Sequence, residues 1–375
     1  MQSSLLYESA DKSVVLIDIP RSLEEAQVLA GNPPPRRLVS CKALTEPWQR
    51  HDSKKGREPS VSQSPSAAID ELMTQETVRA AIDQIGQSYT GHWCFSRLVK
   101  NEAQDTTDII PPQKRKLDGE EEGDDAAKVQ TPHKPGEYLI DERPEEVGND
   151  AFFFPTKAHH LLGSIENERA AFLQKAPAFD LILLDPPWPS RSVRRKRESY
   201  ATAYDMHETK NLLSLIPVAA HLNPDGLVAL WVTNKPAVID LLRSPGGIFD
   251  LWGLEPIGEW IWVKVTSSGE PIVDPQSSWR KPWERLLIAR KKGGTARLDA
   301  ERKVIFGVPD LHSRKPNLRR LFGNTLPEDY VGLEIFARNL TAGWWSWGDQ
   351  TLMFQHRHHW IEEAIADENV VDKKK

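Results

Sequence analysis

From about residue 150 onward, apolar and polar positions fall into blocks whose period keeps changing. FDLILL (179–184) is a continuous apolar run with the length of a strand buried on both faces. ETKNLLSLIPVAAHL (208–222) carries its apolar residues at helical spacing, with Pro217 placed to kink it. NPDG (223–226) reads as a turn, and LVALWVT (227–233) as a second buried strand. KPAVIDLLRS (235–244) opens a helix at Pro236 and stops it before Gly246 and Gly247. EWIWVKV (259–265) alternates as a strand, and WERLLIAR (283–290) and VIFGV (304–308) follow. KPNLRRLFG (315–323) reads as a short helix, and GLEIFAR (332–338) as a further strand. Strands alternating with helices predict an α/β fold with a mostly parallel sheet covered on both faces.

The N-terminal part is less regular. SVVLIDIP (13–20) predicts a strand, and TQETVRAAIDQIGQSY (74–89) a helix capped by Thr74. Residues 1–99 are expected to form a small accessory region, with a loop over 51–66. Residues 100–148 are polar and rich in proline, as in a disordered linker or insertion. The main domain is expected over 149–355, followed by an exposed helical tail over 356–375.

Composition narrows the classes. The chain has 375 residues, 39% hydrophobic and 27% charged, enough for a sizeable core. No run approaches 18 apolar residues, and MQSSLLYESA lacks a basic start followed by a long apolar stretch, which speaks against a membrane span or a secretory signal. Cys41 and Cys94 are the two cysteines, too few for a Cys-based zinc site and suggestive of a reducing compartment. The net charge of −6 gives no global argument for nucleic acid, so any such argument must be local. One basic cluster, Lys114 to Lys116, has the form of a nuclear import signal; the expected location is the nucleus, with the cytoplasm as a second possibility.

The strongest local signal follows the first buried strand. FDLILL ends at Asp185, and Pro186, Pro187 and Trp188 come next. A buried parallel strand ends at the edge where α/β folds bind ligands. Two prolines fix φ and remove two N–H donors, so Asp185 and the carbonyls beside it form an acceptor-only corner. Trp188 is expected to add an aromatic plate on which a base could stack. Such a corner suits the exocyclic amine of a flat heterocycle. Acceptors that grip its N–H bonds free the nitrogen lone pair to attack a methyl group held in line.

The DPPW motif after an apolar strand resembles the eukaryotic N6-adenine methyltransferases, the S-adenosylmethionine-dependent family of the mRNA m6A writers. LVALWVTNK, EWIWVKV, HSRKP (312–316) and LEIFAR (333–338) continue the likeness over roughly 150–355. SVRRKRESY, WVKVT and ARNLTAGWWSWGDQ are most similar to the branch called methyltransferase-like protein four. The resemblance implies a Rossmann-like methyltransferase fold in permuted order, with the catalytic strand ahead of the strand that carries much of the cofactor site. It implies Asp185, Pro186, Pro187 and Trp188 as the catalytic corner and S-adenosyl-L-methionine as cofactor. It also implies a cofactor site of Ser164, Ile165, Asp185, Pro186, Lys315, Phe336, Arg338, Asn339, Asp349 and Gln350. Lys315 would meet the methionine carboxylate, and residues 336–339 the sugar and adenine. Two departures stand out: Ser164 lies where relatives carry an acid, and Arg314 precedes Lys315-Pro316 where they carry His.

Directly after the corner, RSVRRKR places Arg191, Arg194, Arg195, Lys196 and Arg197 where they could grip phosphates, with Tyr200 beside them. Trp231 and Asn234 complete the expected substrate side, and Lys281, Lys291, Lys292, Arg319 and Arg320 extend a basic rim. An adenine inside a duplex cannot enter such a pocket, so the expected partner is single-stranded, looped or flipped nucleic acid, with RNA slightly ahead of DNA. No metal is expected; HRHH (356–359) is assigned to the exposed tail. The competing reading is a catalytically silent nucleic-acid-binding scaffold of the same fold. A third, methylation of cytosine N4 or a glutamine amide, is disfavoured by the Asp and Trp at the ends of the tetrapeptide.

Overall fold

The structure is a computed structural model and describes residues 3–48, 65–99, 139–140, 152–189, 205–277 and 280–362. The chain opens with β1 (Leu5–Glu8), β2 (Val14–Ile17), α1 (Ile19–Ala26), β3 (Arg36–Leu38) and α2 (Pro65–Ser88). Next come β4 (Leu139–Ile140), β5 (His159–Leu162), α3 (Ile165–Lys175) and β6 (Phe179–Leu184). They are followed by α4 (Met206–Ser214), α5 (Val218–His221), β7 (Leu222–Val232), α6 (Pro236–Arg243), α7 (Ile248–Leu251), β8 (Leu254–Lys264) and β9 (Trp283–Lys291). The last elements are β10 (Arg302–Gly307), α8 (Arg319–Phe322), β11 (Gly332–Ile335), β12 (Trp345–Gly348), a 3₁₀ turn (Arg357–His359) and β13 (Trp360–Glu362).

Eleven strands form one sheet in the order β1-β2-β10-β8-β9-β7-β6-β11-β12-β5-β4. β2, β10, β8, β7, β6, β11, β12 and β5 run the same way; β9 runs against both of its neighbours. The predicted α/β architecture with a mostly parallel sheet is what forms. β6 is apolar apart from Asp180 at its start, which is half-buried and accepts from the Val331 N–H at 2.9 Å and the Asn223 side chain at 2.6 Å. Ile182 and Leu184 enter one core with Phe172, Leu213, Val238 and Trp347. Leu181 and Leu183 enter the core on the other face with Ile19, Trp231, Trp260 and Phe322. From Leu181 to Leu184 the strand is buried on both sides and has no position for a polar side chain until it ends.

Several sequence expectations change. The region 1–99 shares the sheet of the main domain: β2 pairs in parallel with β10, and α2 sets Val78, Ala81 and Ile85 on β2, β8 and β10. Thr74 lies inside α2 rather than at its start and donates back to the Asp70 carbonyl at 2.9 Å. The real start lies nine residues earlier, at Pro65, a residue suited to a first helical turn. NPDG is taken into β7 as an irregularity between the Phe179–Leu222 and Leu181–Leu227 pairings. The helix expected over 315–323 shrinks to α8. Residues 356–362 form the 3₁₀ turn and β13, which pairs with β3, so this stretch is not a helical tail; Trp360 anchors it by burial. Pro217 does break the helical run, separating α4 from α5. The expected linker, with Lys114 to Lys116, falls mainly outside the described residues. Among the described residues, no helix is long and apolar enough to cross a membrane.

Candidate active site

The parallel strands all finish at one edge, and so do the chemically distinctive side chains. Asp185 follows β6, Lys264 ends β8, Lys315 lies in the loop after β10, and Arg338 and Gln350 follow β11 and β12. Glu284 joins them because β9 is antiparallel: its start, not its end, lies at this edge.

The Asp185 corner is fixed on three sides. The Asp185 N–H donates to the Ile335 carbonyl at 3.3 Å, and the Trp188 N–H to the Pro186 carbonyl at 2.8 Å. The Trp188 indole N–H donates to the Trp231 carbonyl at 2.8 Å, which ties the corner to the end of β7. Two expectations are corrected here. The Pro186 carbonyl is not a free acceptor, since one lone pair is taken within the turn. Trp188 is 8% exposed and packs in the core, so it anchors the corner instead of offering an open stacking plate.

Around the carboxylate lies a chain of charges. The Lys315 ammonium donates to both Asp185 oxygens, at 3.0 and 2.9 Å, and pairs with Glu284 at 3.2 Å. Glu284 also pairs with Lys264 at 2.5 Å. Arg338 stands 3.7 Å from Asp185; it donates to the Gln350 side chain at 3.2 Å and to the Ser313 carbonyl at 3.5 Å. Burial alone would raise the Glu284 pKa, but the Lys264 and Lys315 ammoniums outweigh it and hold the carboxyl far below its usual range. Burial likewise disfavours the charged form of Lys315, yet Asp185 and Glu284 outweigh it and raise its pKa. Glu334 behaves in the opposite way. Burial, reinforced by the Asp185 charge, pushes its carboxyl up to about 8, despite Arg338 and Lys315. Two side chains of like charge on one face of β6 and β11 cannot both ionise cheaply.

The remaining expected cofactor residues divide by role. Ser164 caps α3: its hydroxyl accepts from the Asn167 N–H at 3.1 Å. Ile165 is buried in the core below it. Phe336 has φ of 61°, a region that non-glycine residues seldom enter, and its N–H donates to the Trp347 carbonyl at 2.7 Å. Gly348 faces it with φ of 153°; a Cβ there would lie 3.1 Å from the Phe336 Cα. The ends of β11 and β12 are thus pressed together, leaving Asp349 exposed and Asn339 and Gln350 half-buried beside Arg338. Lys315 is placed differently from expectation. All of its donors face Asp185 and Glu284, so a ligand carboxylate could reach it only by exchange.

On the expected substrate side, Trp231 is corrected to a core residue. It is 2% exposed and lies under Lys315, whose ammonium is 5.6 Å from its ring centroid. Asn234 is exposed and donates to the Trp283 carbonyl at 2.8 Å. Arg191, Arg194, Arg195, Lys196, Arg197 and Tyr200 lie outside the described residues. Lys291 ends the antiparallel β9 and Lys292 follows it, so both sit at the far edge of the sheet, where Lys292 pairs with Asp250 at 2.7 Å. Arg319 and Arg320 line a separate cavity of about 1160 Å³ with Tyr330 and Trp344, before the starts of β11 and β12. Lys281 is held by Glu71 at 2.7 Å. Glu284 and Lys264 were missed by sequence reasoning. Each marks a charge at the end of an apolar strand, but only strand direction tells which end meets the ligand edge.

Comparison with known proteins agrees with this geometry. A family model described as MT-A70 matches residues 179–350, from the start of β6 to Gln350. The chain is 41% identical over 367 residues to a protein of Cryphonectria parasitica named N6-methyladenosine RNA methyltransferase MTA1, covering 96% of this chain and 94% of that one. It is 34% identical over 222 residues to the human N(6)-adenine-specific methyltransferase METTL4, covering 56% of this chain and 45% of the human protein. It is 32% identical over 217 residues to a Caenorhabditis elegans DNA N6-methyl methyltransferase, covering 57% of each.

Proposed function

The chain belongs to the MT-A70 family of nucleic-acid adenine-N6 methyltransferases, and from that premise we propose that it methylates adenine N6 in RNA, using S-adenosyl-L-methionine, at the Asp185 corner. The observation that carries this reading is the corner itself: an acceptor carboxylate fixed between β11 and β7 at the ligand edge, with two cations beside it.

The residues present fit the cofactor. Arg338 supplies positive charge for a carboxylate, with the Lys315 ammonium behind it on Asp185. Asp185 supplies negative charge for an ammonium, and Asp349 and Gln350 offer acceptors for a ribose diol. The strained meeting of Phe336 and Gly348 forms a floor on which a flat ring could lie close to backbone. When bound, S-adenosylmethionine supplies an electrophilic methyl group on a sulfonium.

The protein's own contribution is positioning. Lys315 occupies one lone pair on each Asp185 oxygen, which leaves each oxygen able to accept once more. Those acceptors, with the second lone pair of the Pro186 carbonyl, can grip the two N–H bonds of an exocyclic amine. The grip frees the nitrogen lone pair for attack on the methyl carbon. Once methylated, the nitrogen would release one of its protons to solvent water, and Asp185 would act throughout as an orienting acceptor. A fixed acceptor needs no reorganisation during reaction, and alignment of this kind is worth several kcal/mol. The adenine enters unpaired, from a single-stranded, looped or flipped site. RNA is placed ahead of DNA because the relative named for RNA matches almost the full length of the chain, whereas the one named for DNA matches 57% of it. The basic cluster Lys114 to Lys116 supports a nuclear location.

The test is nucleoside mass spectrometry after incubating the full chain with methyl-labelled cofactor and, separately, RNA and DNA oligonucleotides. Labelled N6-methyladenosine from RNA is expected, and Asp185→Ala should abolish it while cofactor still raises the melting temperature. Label confined to DNA would reverse the substrate preference. No label with either would favour a silent binding scaffold.

A further inference from the structure

The described parts of the connection between β8 and β9, residues 265–277 and 280–282, lie between Lys264 and Glu284 of the active-site cluster, and the N-terminal segment up to Trp48 runs along them. The Ser267 N–H donates to the Leu44 carbonyl at 2.8 Å, and the Trp48 N–H to the Ile272 carbonyl at 2.9 Å. The Ser268 hydroxyl reaches the Thr45 carbonyl at 3.5 Å. These bonds fix an indole from the start of the chain at the rim of the site. The Arg280 guanidinium lies over that indole, 4.1 Å from the ring centroid.

Arg280 is half-buried. Burial lowers its pKa, and the Glu284 carboxylate opposes the shift, which places Arg280 within electrostatic reach of the active-site cluster. Among the described residues, however, no carboxylate pairs with Arg280, and none of its N–H groups has a hydrogen-bond partner. The neighbouring guanidiniums differ. Arg285 is forked by Glu259 and Asp70, Arg290 pairs with Glu255, and Arg338 faces Asp185. A half-buried cation with no carboxylate in hydrogen-bond contact is costly unless a ligand provides one. Stacking uses the face of the guanidinium and leaves its N–H edge open, and that edge matches a phosphodiester in two-point geometry.

We propose that Trp48 and Arg280 bind the phosphodiester next to the target adenine, with Arg280 gripping the phosphate and Trp48 as the positioning residue that holds the guanidinium edge outward. The proposal rests on reading the Asp185 corner as the adenine site. It gives the N-terminal segment a part in substrate binding, and it uses none of the basic groups singled out in the sequence.

The test measures binding of the full chain to adenine-containing RNA and DNA oligonucleotides by fluorescence anisotropy across a salt series, alongside methyl transfer. Arg280→Gln should bind about tenfold more weakly at low salt, as expected for loss of one charge-assisted contact. Its log–log salt slope should be shallower by about 0.7 for a single strand. Replacing the phosphate beside the target adenine with a neutral methylphosphonate should weaken the parent and leave Arg280→Gln unaffected. Trp48→Ala should raise KM by a few fold, and Trp48→Phe should restore it. Thermal melting and cofactor binding of each variant establish that the fold is kept. Equal salt slopes and equal responses to the methylphosphonate in parent and Arg280→Gln would overturn the proposal while leaving the adenine reading intact. A parent that methylates neither oligonucleotide would remove the adenine reading, and this site with it.

Discussion

Glu284→Gln removes the one carboxylate that separates Lys264 from Lys315. In the parent, Glu284 lies 2.5 Å from Lys264 and 3.2 Å from Lys315. At an effective dielectric constant of about 20, each contact is worth roughly 5–7 kcal/mol before desolvation. Desolvation offsets most of that, and breaking a buried charge cluster by removing one partner costs about 3–5 kcal/mol. Glu284 is 29% exposed, so water absorbs part of the freed charge, and a net loss of about 2–3 kcal/mol is expected. That corresponds to a fall of roughly 3–4 °C in melting temperature, below the usual scaling for smaller domains because the chain is long. The pH dependence has a fixed sign. The folded pKa of Glu284 lies below its ordinary value of 4.5, so its stabilisation is complete above that value and is lost as pH falls through the folded pKa. The difference between parent and variant should therefore be full at pH 7 and shrink below about pH 4.5. Thermal melting of both proteins across that range is the assay. A shift under about 1 °C at pH 7, or a difference that widens in acid, would refute the account of the cluster.

Two further outcomes follow from single groups. Glu334, pushed up to about 8, stays protonated in the folded chain where the unfolded chain ionises from about 4.5. Its contribution to stability is full below the unfolded value and declines as pH rises through 8, by at most about 1.4 kcal/mol per pH unit and less for its partial exposure. Glu334→Gln should flatten that decline and melt above the parent at pH 8.5, about half a unit past its pKa, in a melting series over pH 5 to 9. Ser164→Ala deletes the α3 cap bond to the Asn167 N–H and should lower stability by about 0.5–2 kcal/mol, read as a shift in the denaturation midpoint.

The last substitution also bears on one departure from the family pattern. Ser164 stands where relatives carry an acid, and the structure uses it as a helix cap. A serine does that as well as an aspartate, so the fold gives no reason for an acid there.

Much of this protein was open to inspection in the linear chain. LILL (181–184) could only be the inner part of a strand buried on both faces, because four apolar residues in a row at strand period have no water-facing alternative in a globular fold. Asp185 had to end it, since a carboxylate cannot be carried further into that core. Pro186 and Pro187 fixed the turn through covalent geometry alone, and Pro217 broke a helix for the same reason. The tertiary structure decided the rest. Glu284 and Lys264 entered the site, and Lys291 and Lys292 left it, because β9 runs against its neighbours, and strand direction is a long-range property that no local pattern encodes. Trp188 and Trp231 became anchors because the space around them was filled by residues distant in sequence. Trp48 met Arg280 for the same reason: 232 positions apart in the chain, they are brought together by backbone bonds between segments that neither residue can announce. Local order follows from side-chain shape and solvent preference along a few residues, whereas a site assembled at a sheet edge depends on which way each strand finally runs.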